Sequence, residues 1–327
     1  MLRKLFLLML LSGLLLAACV PATISISQTE ATATGEMSNQ AAPLKVETPG
    51  PISMTDDLGR HVNLASPAQR VVSLAPSNTE ILFAIGAGSQ VVGRDDSSDF
   101  PSEVSGIQSV GGSMGNFSTE AIVALKPDLV LAAEINPPEL VKTLESLGLT
   151  VYYLKNPTTL ETMYANLETV AQLTGHETET QALIPSLKER VAAVDAKIAT
   201  VISKPTVFYE LDATDPNKPY TAGPGTFIDV LIRRAGGVNV ADSLIDQYPQ
   251  LSLEQVVVMN PSIILLSDAA YGETPEKVAL RAGWGTLGAV KNGRLYPFDY
   301  HLLSIPGPRL VDGLEQLAKL FHPELFK

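Results

Sequence analysis

Short apolar runs rich in β-branched residues recur along this chain, separated by stretches in which apolar positions return every three or four residues. The runs at 70–74, 91–93, 129–132 and 151–154 read as buried strands with helices between them. In the first of these intervals, Ser77 or Asn78 is placed to cap a helix over 79–85 that Gly86 closes. A second alternating set has strands at 206–211, 263–266 and 294–298, with helices at 227–234, after Ser252 and over 308–320. Pro297 marks the last strand as a sheet edge. Leu310, Leu314, Leu317 and Phe321 lie at helical spacing and read as core. Ahead of both sets, residues 52–54 and 61–64 flank a turn at 57–60, the pattern of a hairpin. Strands alternating with helices predict an α/β fold of mainly parallel sheets covered on both faces.

The segment 160–201 is helical throughout, with a break at Gly175-His176 and with Pro185 as either a first-turn residue or a kink. Read as one helix, 186–202 spans about 25 Å, a rod able to join two lobes. The predicted organisation is a leader at 1–19, a tether at 20–50, an N-terminal lobe at 51–175, a bridging helix within 176–204 and a C-terminal lobe at 205–327.

Two segments repeat one another 134 positions apart, Ser118 to Leu131 and Ser252 to Leu265. Each has a capping Ser, an acidic residue in the first helical turn, a short apolar helix, a Pro that stops it and a buried strand. Glu120 and Glu254 therefore occupy the same structural address, one in each half. A single such Glu is accounted for by its favourable place at a helix N-terminus. Two in a duplicated context point to a partner that is itself twofold.

Arg3 and Lys4 followed by the apolar run 5–16 and Ala17-Ala18-Cys19 form an export leader, and the segment 16–19 resembles a lipobox, whose Cys is acylated. Cys19 is the only cysteine, so no disulfide or cysteine metal site can form within one chain. Residues 20–50 are rich in Ser, Thr, Ala, Gln, Glu and Pro and read as a flexible tether. Without Arg3 and Lys4 the chain holds 21 basic against 35 acidic side chains, a formal charge of −14. That balance excludes a phosphate-neutralising surface, and with it nucleic acid as a partner.

Residues 70–80, 124–130 and 220–227 together resemble the solute-binding proteins of ABC importers for cobalamin, haem and ferric siderophores, and the likeness extends over 52–321. The resemblance implies two lobes joined by one long helix (the class III periplasmic-binding fold), a cleft between them and little hinge motion. It also implies a surface Glu on each lobe pairing with arginines of a permease dimer that works with ATPase subunits; Glu120 and Glu254 hold those motif positions. With the leader it places the protein outside the cytoplasm, in the periplasm or at the cell surface, held to the membrane by a lipid on Cys19 alone. The stretch 209–225 is most similar to cobalamin binders. The loop 111–115 departs from the well-known cobalamin binder, which carries a Trp at that place.

In open α/β lobes, ligands lie beyond the carboxyl ends of the strands. Pro76, Ser77, Asn78 and Asp95 hold such places in the first lobe, as does Glu134. Large planar or macrocyclic ligands favour aromatic walls with a few polar fixers. On that ground Tyr209, Tyr220, Tyr271, Trp284, Tyr300 and Arg309 are candidates, although Tyr209 and Trp284 also suit a core. His301 is either a hydrogen-bonding surface His or a ligand to a haem iron or corrin cobalt. No resident cofactor is expected; the metal would belong to the cargo, a corrinoid or iron chelate.

Two rival chemistries are weaker. The loop 111–115 satisfies G-x-S-x-G, which would make Ser113 an esterase nucleophile, but the segment before it is short and half polar rather than a buried strand. Ester turnover abolished by Ser113→Ala would restore that reading. A zinc or manganese site needs converging ligands, and His61, His176, His301 and His322 are scattered.

Overall fold

The computed structural model describes residues 50–327. Strands β1 (Ile52–Thr55) and β2 (His61–Leu64) form the expected antiparallel hairpin. Its turn is fixed by Asp56, whose carboxylate accepts the backbone N–H groups of Leu58 and Arg60 at 3.0 and 2.9 Å.

In the N-terminal lobe come β3 (Val71–Ser73), α1 (Pro76–Ala84), β4 (Val91–Arg94), α2 (Thr119–Ala124), β5 (Leu129–Ala133), α3 (Pro138–Ser146) and β6 (Val151–Leu154). Next are the two long helices, α4 (Leu160–Thr174) and α5 (Glu177–Ile198). The C-terminal lobe has β7 (Thr206–Glu210), α6 (Phe227–Arg234), β8 (Val238–Asn239), α7 (Leu253–Met259), β9 (Ile263–Leu266), α8 (Pro275–Leu280), α9 (Gly288–Lys291), β10 (Leu295–Pro297), α10 (His301–Ser304) and α11 (Leu310–Phe321).

Both four-stranded sheets are parallel, ordered β4-β3-β5-β6 and β8-β7-β9-β10. In each lobe, therefore, the second strand flanks the first on one side and the third flanks it on the other, so the duplication seen in sequence extends to topology. The helices that open with the repeated Ser, α2 and α7, are the equivalent crossovers from second to third strand. They end alike: Lys126 (φ 46°) and Asn260 (φ 44°) are the two non-glycine residues with positive φ among the described residues, and each directly precedes a Pro. A left-handed residue turns the chain out of the helix, and the Pro prevents its continuation.

Side chains alternate across each sheet with the period of two that a strand imposes. Val72, Val130, Ala132, Val151 and Tyr153 enter a core under α2 and α3, while Phe208, Ile264 and Leu266 enter one with Trp284 and Val278. The opposite faces, with Val71, Leu129 and Leu131 in one sheet and Val207, Ile263 and Leu265 in the other, belong to a single cluster shared by both lobes. Ile184, Leu187, Val191 and Val194 of α5 join it, so the bridging helix is part of the core, packed between α4 and α11. Such a core resists independent motion of the lobes.

Most element ends fall within one or two residues of expectation, and at two helices the roles of the capping and proline residues need comment. Helix α1 begins at Pro76, with Ala75 as its N-cap and no side-chain cap, so Ser77 and Asn78 lie inside the first turn. Proline is preorganised for a first helical position, where its missing N–H costs nothing. Helix α5 runs from Glu177 to Ile198, within the expected 176–204, and of the two readings of Pro185 the first-turn one is excluded, since it lies inside the helix. Its packing on both sides offsets the one backbone hydrogen bond lost.

Candidate functional site

Three cross-lobe contacts close the seam between the N-terminal lobe, through Glu80 of α1 and Asp99-Phe100 beyond β4, and the segment before α11. Glu80, 3% exposed on α1, accepts a hydrogen bond from Arg309 at 2.5 Å. The Arg309 guanidinium lies 4.0 Å from the centroid of the Phe100 ring, a cation–π arrangement. His301 Nε2 lies 3.5 Å from Asp99, while its Nδ1 is 2.7 Å from Asp299. Burial raises the Glu80 carboxyl above its ordinary range, opposed by the hydrogen bond and charge of Arg309. Gly307 allows this approach, since a Cβ there would meet Glu80 Oε2 at 2.9 Å.

Beside the seam lie two cavities at the carboxyl ends of the strands. One, of about 420 Å³, is lined from the N-terminal lobe by Glu134, Asn156 and Thr158, and from the C-terminal lobe by Leu211, Gln247, Tyr248 and Ser304 among others. The second, of about 400 Å³, lies beyond β7 and β9 and is lined by Leu211, Asp212, Thr214, Asp268, Tyr271 and Glu273. Leu211 borders both. Behind the second, Glu210 is fully buried and receives Arg281 at 2.6 and 2.9 Å; burial raises its carboxyl to about 7 against the pull of that guanidinium.

The structure separates the sequence candidates into groups. Tyr271 and Tyr300 stack with ring centroids 6.2 Å apart, and Tyr300 meets His301 at 3.9 Å, so these three stand together at the mouth of the cleft. Arg309 belongs to the seam with α1, whose first turn holds Pro76, Ser77 and Asn78; the latter two are buried. Asp95 is buried as well. Its carboxylate accepts Ser97 N–H at 2.8 Å and the Ser98 hydroxyl, which continues to Thr79 and Ser73. Burial raises its pKa and these bonds oppose the rise.

Tyr220 is exposed, and its backbone bridges Asp212 and Gln250. Tyr209 and Trp284 are corrected to core side chains, each 0% exposed. Tyr209 alternates into the shared core, where burial pushes its phenol up to about 12. Trp284 packs edge-on against Phe208 and donates its N–H to the Pro216 carbonyl at 3.2 Å.

Ser113 sits in an exposed single turn and donates to Asp96 at 2.8 Å. None of the four histidines bonds it, and no strand leads into it among the described residues, so the geometry of a nucleophile elbow is not formed. His301 has a carboxylate at each ring nitrogen.

Sequence reasoning missed Glu80, Asp99 and Phe100 at the seam, and Asn156, Gln247, Tyr248 and Ser304 in the larger cavity. Glu80 did carry a signal. A carboxylate directly before Ile81-Leu82-Phe83 in a helix bound for the core requires a cation, and Arg309 is the only Lys or Arg between Arg294 and Lys319. The loop residues carried none, because they are polar positions without periodicity.

Glu120 and Glu254 are both exposed in the first turns of α2 and α7. Ser118 caps α2 by accepting Ala121 N–H at 3.1 Å, and Ser252 caps α7 by accepting Gln255 N–H at 3.2 Å. The local hydrogen bonds of Glu254, to its own backbone N–H and to Ser252, hold its carboxyl below the usual range. Cys19 and the tether lie outside the described residues. No helix among the described residues is long and apolar enough to cross a membrane.

Comparison with known proteins agrees with this architecture. The periplasmic binding protein family matches residues 71–300. An uncharacterized ABC transporter substrate-binding lipoprotein of Bacillus subtilis, YvrC, is 32% identical over 85% of this chain and 87% of its own. A cobalamin-binding protein of Halobacterium salinarum is 30% identical over 83% of this chain and 74% of its own. The periplasmic heme-binding protein RhuT of a Roseiflexus species superposes with a TM-score of 0.71 at 28% identity, over 78% of this chain and 99% of that one. With the family, the shared core and the inter-lobe cleft in agreement, the chain belongs to the periplasmic binding protein family and is an extracytoplasmic solute-binding protein of the ABC-transporter class.

Proposed function

We propose that this protein captures a cobalamin-like corrinoid between its lobes and delivers it to a permease dimer coupled to ATPase subunits, held at the membrane by a lipid on Cys19. The observation that carries the delivery role is the matched pair of exposed carboxylates. Glu120 and Glu254 open topologically equivalent helices on two lobes that share one core. Charges fixed on a rigid body steer encounter and set orientation. The tether of about 30 residues would raise the effective concentration of protein at the permease. Capture and delivery require no covalent chemistry of the chain.

Support for a corrinoid comes from the likeness to a cobalamin-binding protein and from cavity walls that mix aromatic faces with many hydrogen-bonding groups, suited to an amide-rich macrocycle. Haem is the second reading, favoured by the superposition on a heme-binding protein; a ferric siderophore is the third. Visible absorption titrations of the purified protein with cyanocobalamin, haemin and a ferric siderophore test the choice. Saturable binding of cyanocobalamin with the others at least tenfold weaker is expected; preferential binding of haemin with a ligation spectrum would replace the corrinoid reading.

A further inference from the structure

The two crossover helices repeat more than their carboxylates. Each is pinned by one fully buried residue four positions after the capping Ser, Ile122 in α2 and Val256 in α7. Counted from the same Ser, the fifth and sixth positions are Val123 and Ala124 in α2, and Val257 and Val258 in α7; all four are exposed. They lie three and four positions beyond Glu120 and Glu254, the spacing that makes side chains neighbours on a helix surface. Each carboxylate therefore stands at the edge of an exposed apolar pair, and it is the only charged residue in its helix.

Neither core packing nor helix formation accounts for Val258. It is 84% exposed, so the core gains nothing from it, and a β-branched residue is no better a helix former than Ser. Single exposed apolar residues are common, but here an apolar pair recurs beside the same acid on equivalent helices of both lobes. A surface that covers both patches has to bring, on each of two halves, a cation beside apolar side chains. Charge complementarity and duplication together fit a twofold partner that is both basic and apolar where it touches.

The two patches are unequal. Helix α2 offers Val123, 40% exposed, and the single methyl of Ala124, and it ends among cations: Lys126 follows it, and Arg70 donates to the Leu125 and Lys126 carbonyls at 2.6 and 3.2 Å. Helix α7 offers Val257 and the far more exposed Val258, and leaves through the uncharged Asn260, whose side chain accepts the Gly288 N–H at 2.8 Å. The C-terminal patch thus holds more apolar surface and has no cation at its helix exit to repel a basic partner.

We propose that the exposed valine pair of α7, with Val258 at its centre, is the apolar anchor that keeps the protein bound to its permease, and that the corresponding patch of α2 is a weaker second foothold. The proposal deepens the delivery role above and rests on it. One permease subunit places an arginine or lysine against Glu254 and an apolar side chain over Val258; the other does the same at Glu120 with less apolar gain. The carboxylates govern encounter and orientation, because charge acts at a distance, while the valines govern how long the complex lasts, because burial acts only on contact.

The test is the binding kinetics of the purified protein on the permease–ATPase complex in nanodiscs, at low and high salt. Wild type is compared with Val258→Ser, Ala124→Ser and the double variant Glu120→Ala with Glu254→Ala, and thermal unfolding establishes that all are folded. Val258→Ser is expected to raise the dissociation rate about tenfold while association and its salt dependence stay within about twofold of wild type, the effect of losing one buried Val side chain. Ala124→Ser is expected to change dissociation by about threefold or less, and the double Glu variant to act mainly on association at low salt. Dissociation of Val258→Ser at the wild-type rate, or a larger effect of Ala124→Ser, overturns the proposal; if the double Glu variant still loses docking, the carboxylate reading stands without it. Faster dissociation of Val258→Ser with full docking of the double Glu variant upholds the anchor and removes the role of the carboxylates. A wild-type dimer in sedimentation that Val258→Ser makes monomeric assigns the face to a second copy of this chain and overturns the proposal, as does failure of wild type to bind the permease complex.

Discussion

In the N-terminal lobe the crossover helix begins Ser118-Thr119-Glu120 and leaves through a left-handed Lys126 before Pro127; in the C-terminal lobe its counterpart begins Ser252-Leu253-Glu254 and leaves through a left-handed Asn260 before Pro261. The strand orders also correspond. Beyond the carboxyl ends of the strands the likeness stops. The first lobe offers Glu134, Asn156 and Thr158 to the cleft, the second an acidic and aromatic pocket around Asp268 and Tyr271. Features that repeat are suited to a twofold receiver, and features that differ are suited to an asymmetric cargo.

The buried acids sharpen this contrast. Glu80 takes its cation from the opposite lobe, Arg309, whereas Glu210 takes Arg281 from its own. Breaking a buried ion pair by removing one partner costs roughly 3–5 kcal/mol. Arg309→Ala is accordingly expected to lose about that much in urea unfolding at neutral pH, with faster amide exchange in α1 and around residues 301–309. Arg281→Ala should cost a similar amount with exchange changes confined to the C-terminal lobe. Equal exchange patterns in the two variants would mean that the seam does not depend on the cross-lobe pair.

A smaller effect concerns pH. The folded-state pKa of Glu210 is raised from 4.5 to about 7. Between those values the folded protein keeps a proton that the unfolded chain has released. Its contribution to stability is therefore full below about pH 4.5 and is lost as pH rises through about 7. Glu210→Gln should remove this slope, at most about 1.4 kcal/mol per pH unit, from stability measured by denaturant between pH 4.5 and 7.5. A variant curve parallel to wild type would assign the proton elsewhere. Asp212 and Glu254, whose pKa values are lowered, contribute the opposite sign at more acidic pH.

Smallest is the effect at the helix exits. A left-handed conformation costs most L-residues about 1–2 kcal/mol, and Asn less than Lys. Lys126→Gly should stabilise the protein by about 1 kcal/mol, and Asn260→Gly by clearly less. A reversed order would show that the two exits are not energetically equivalent turns.

How much of this was legible in the chain depended on periodicity. Strand β9, strand β6 and helix α6 were placed to the residue, because β-branched runs and capping signals mark their ends. The two-residue β8 and the short helices α8, α9 and α10 were missed, since four to six residues carry too little pattern. Tyr209 and Trp284 were read toward the cleft because aromatic side chains serve a core and a ligand equally well; for Tyr209 the side of the sheet decides, and it falls on the shared-core side, while Trp284, in a turn between α8 and α9, packs on Phe208. The Glu80–Arg309 pair spans 229 positions, a separation at which sequence supplies charges but no geometry.

The most direct test of the paired-carboxylate account is the affinity of the cargo-loaded protein for its purified permease–ATPase complex in nanodiscs, compared among wild type, Glu120→Ala, Glu254→Ala and the double variant. The account predicts that each single change weakens docking by a similar factor, about tenfold, that the double change approaches the product of the two, and that cargo affinity is unchanged throughout. Docking that survives the double change, or that depends on one Glu alone, would contradict it.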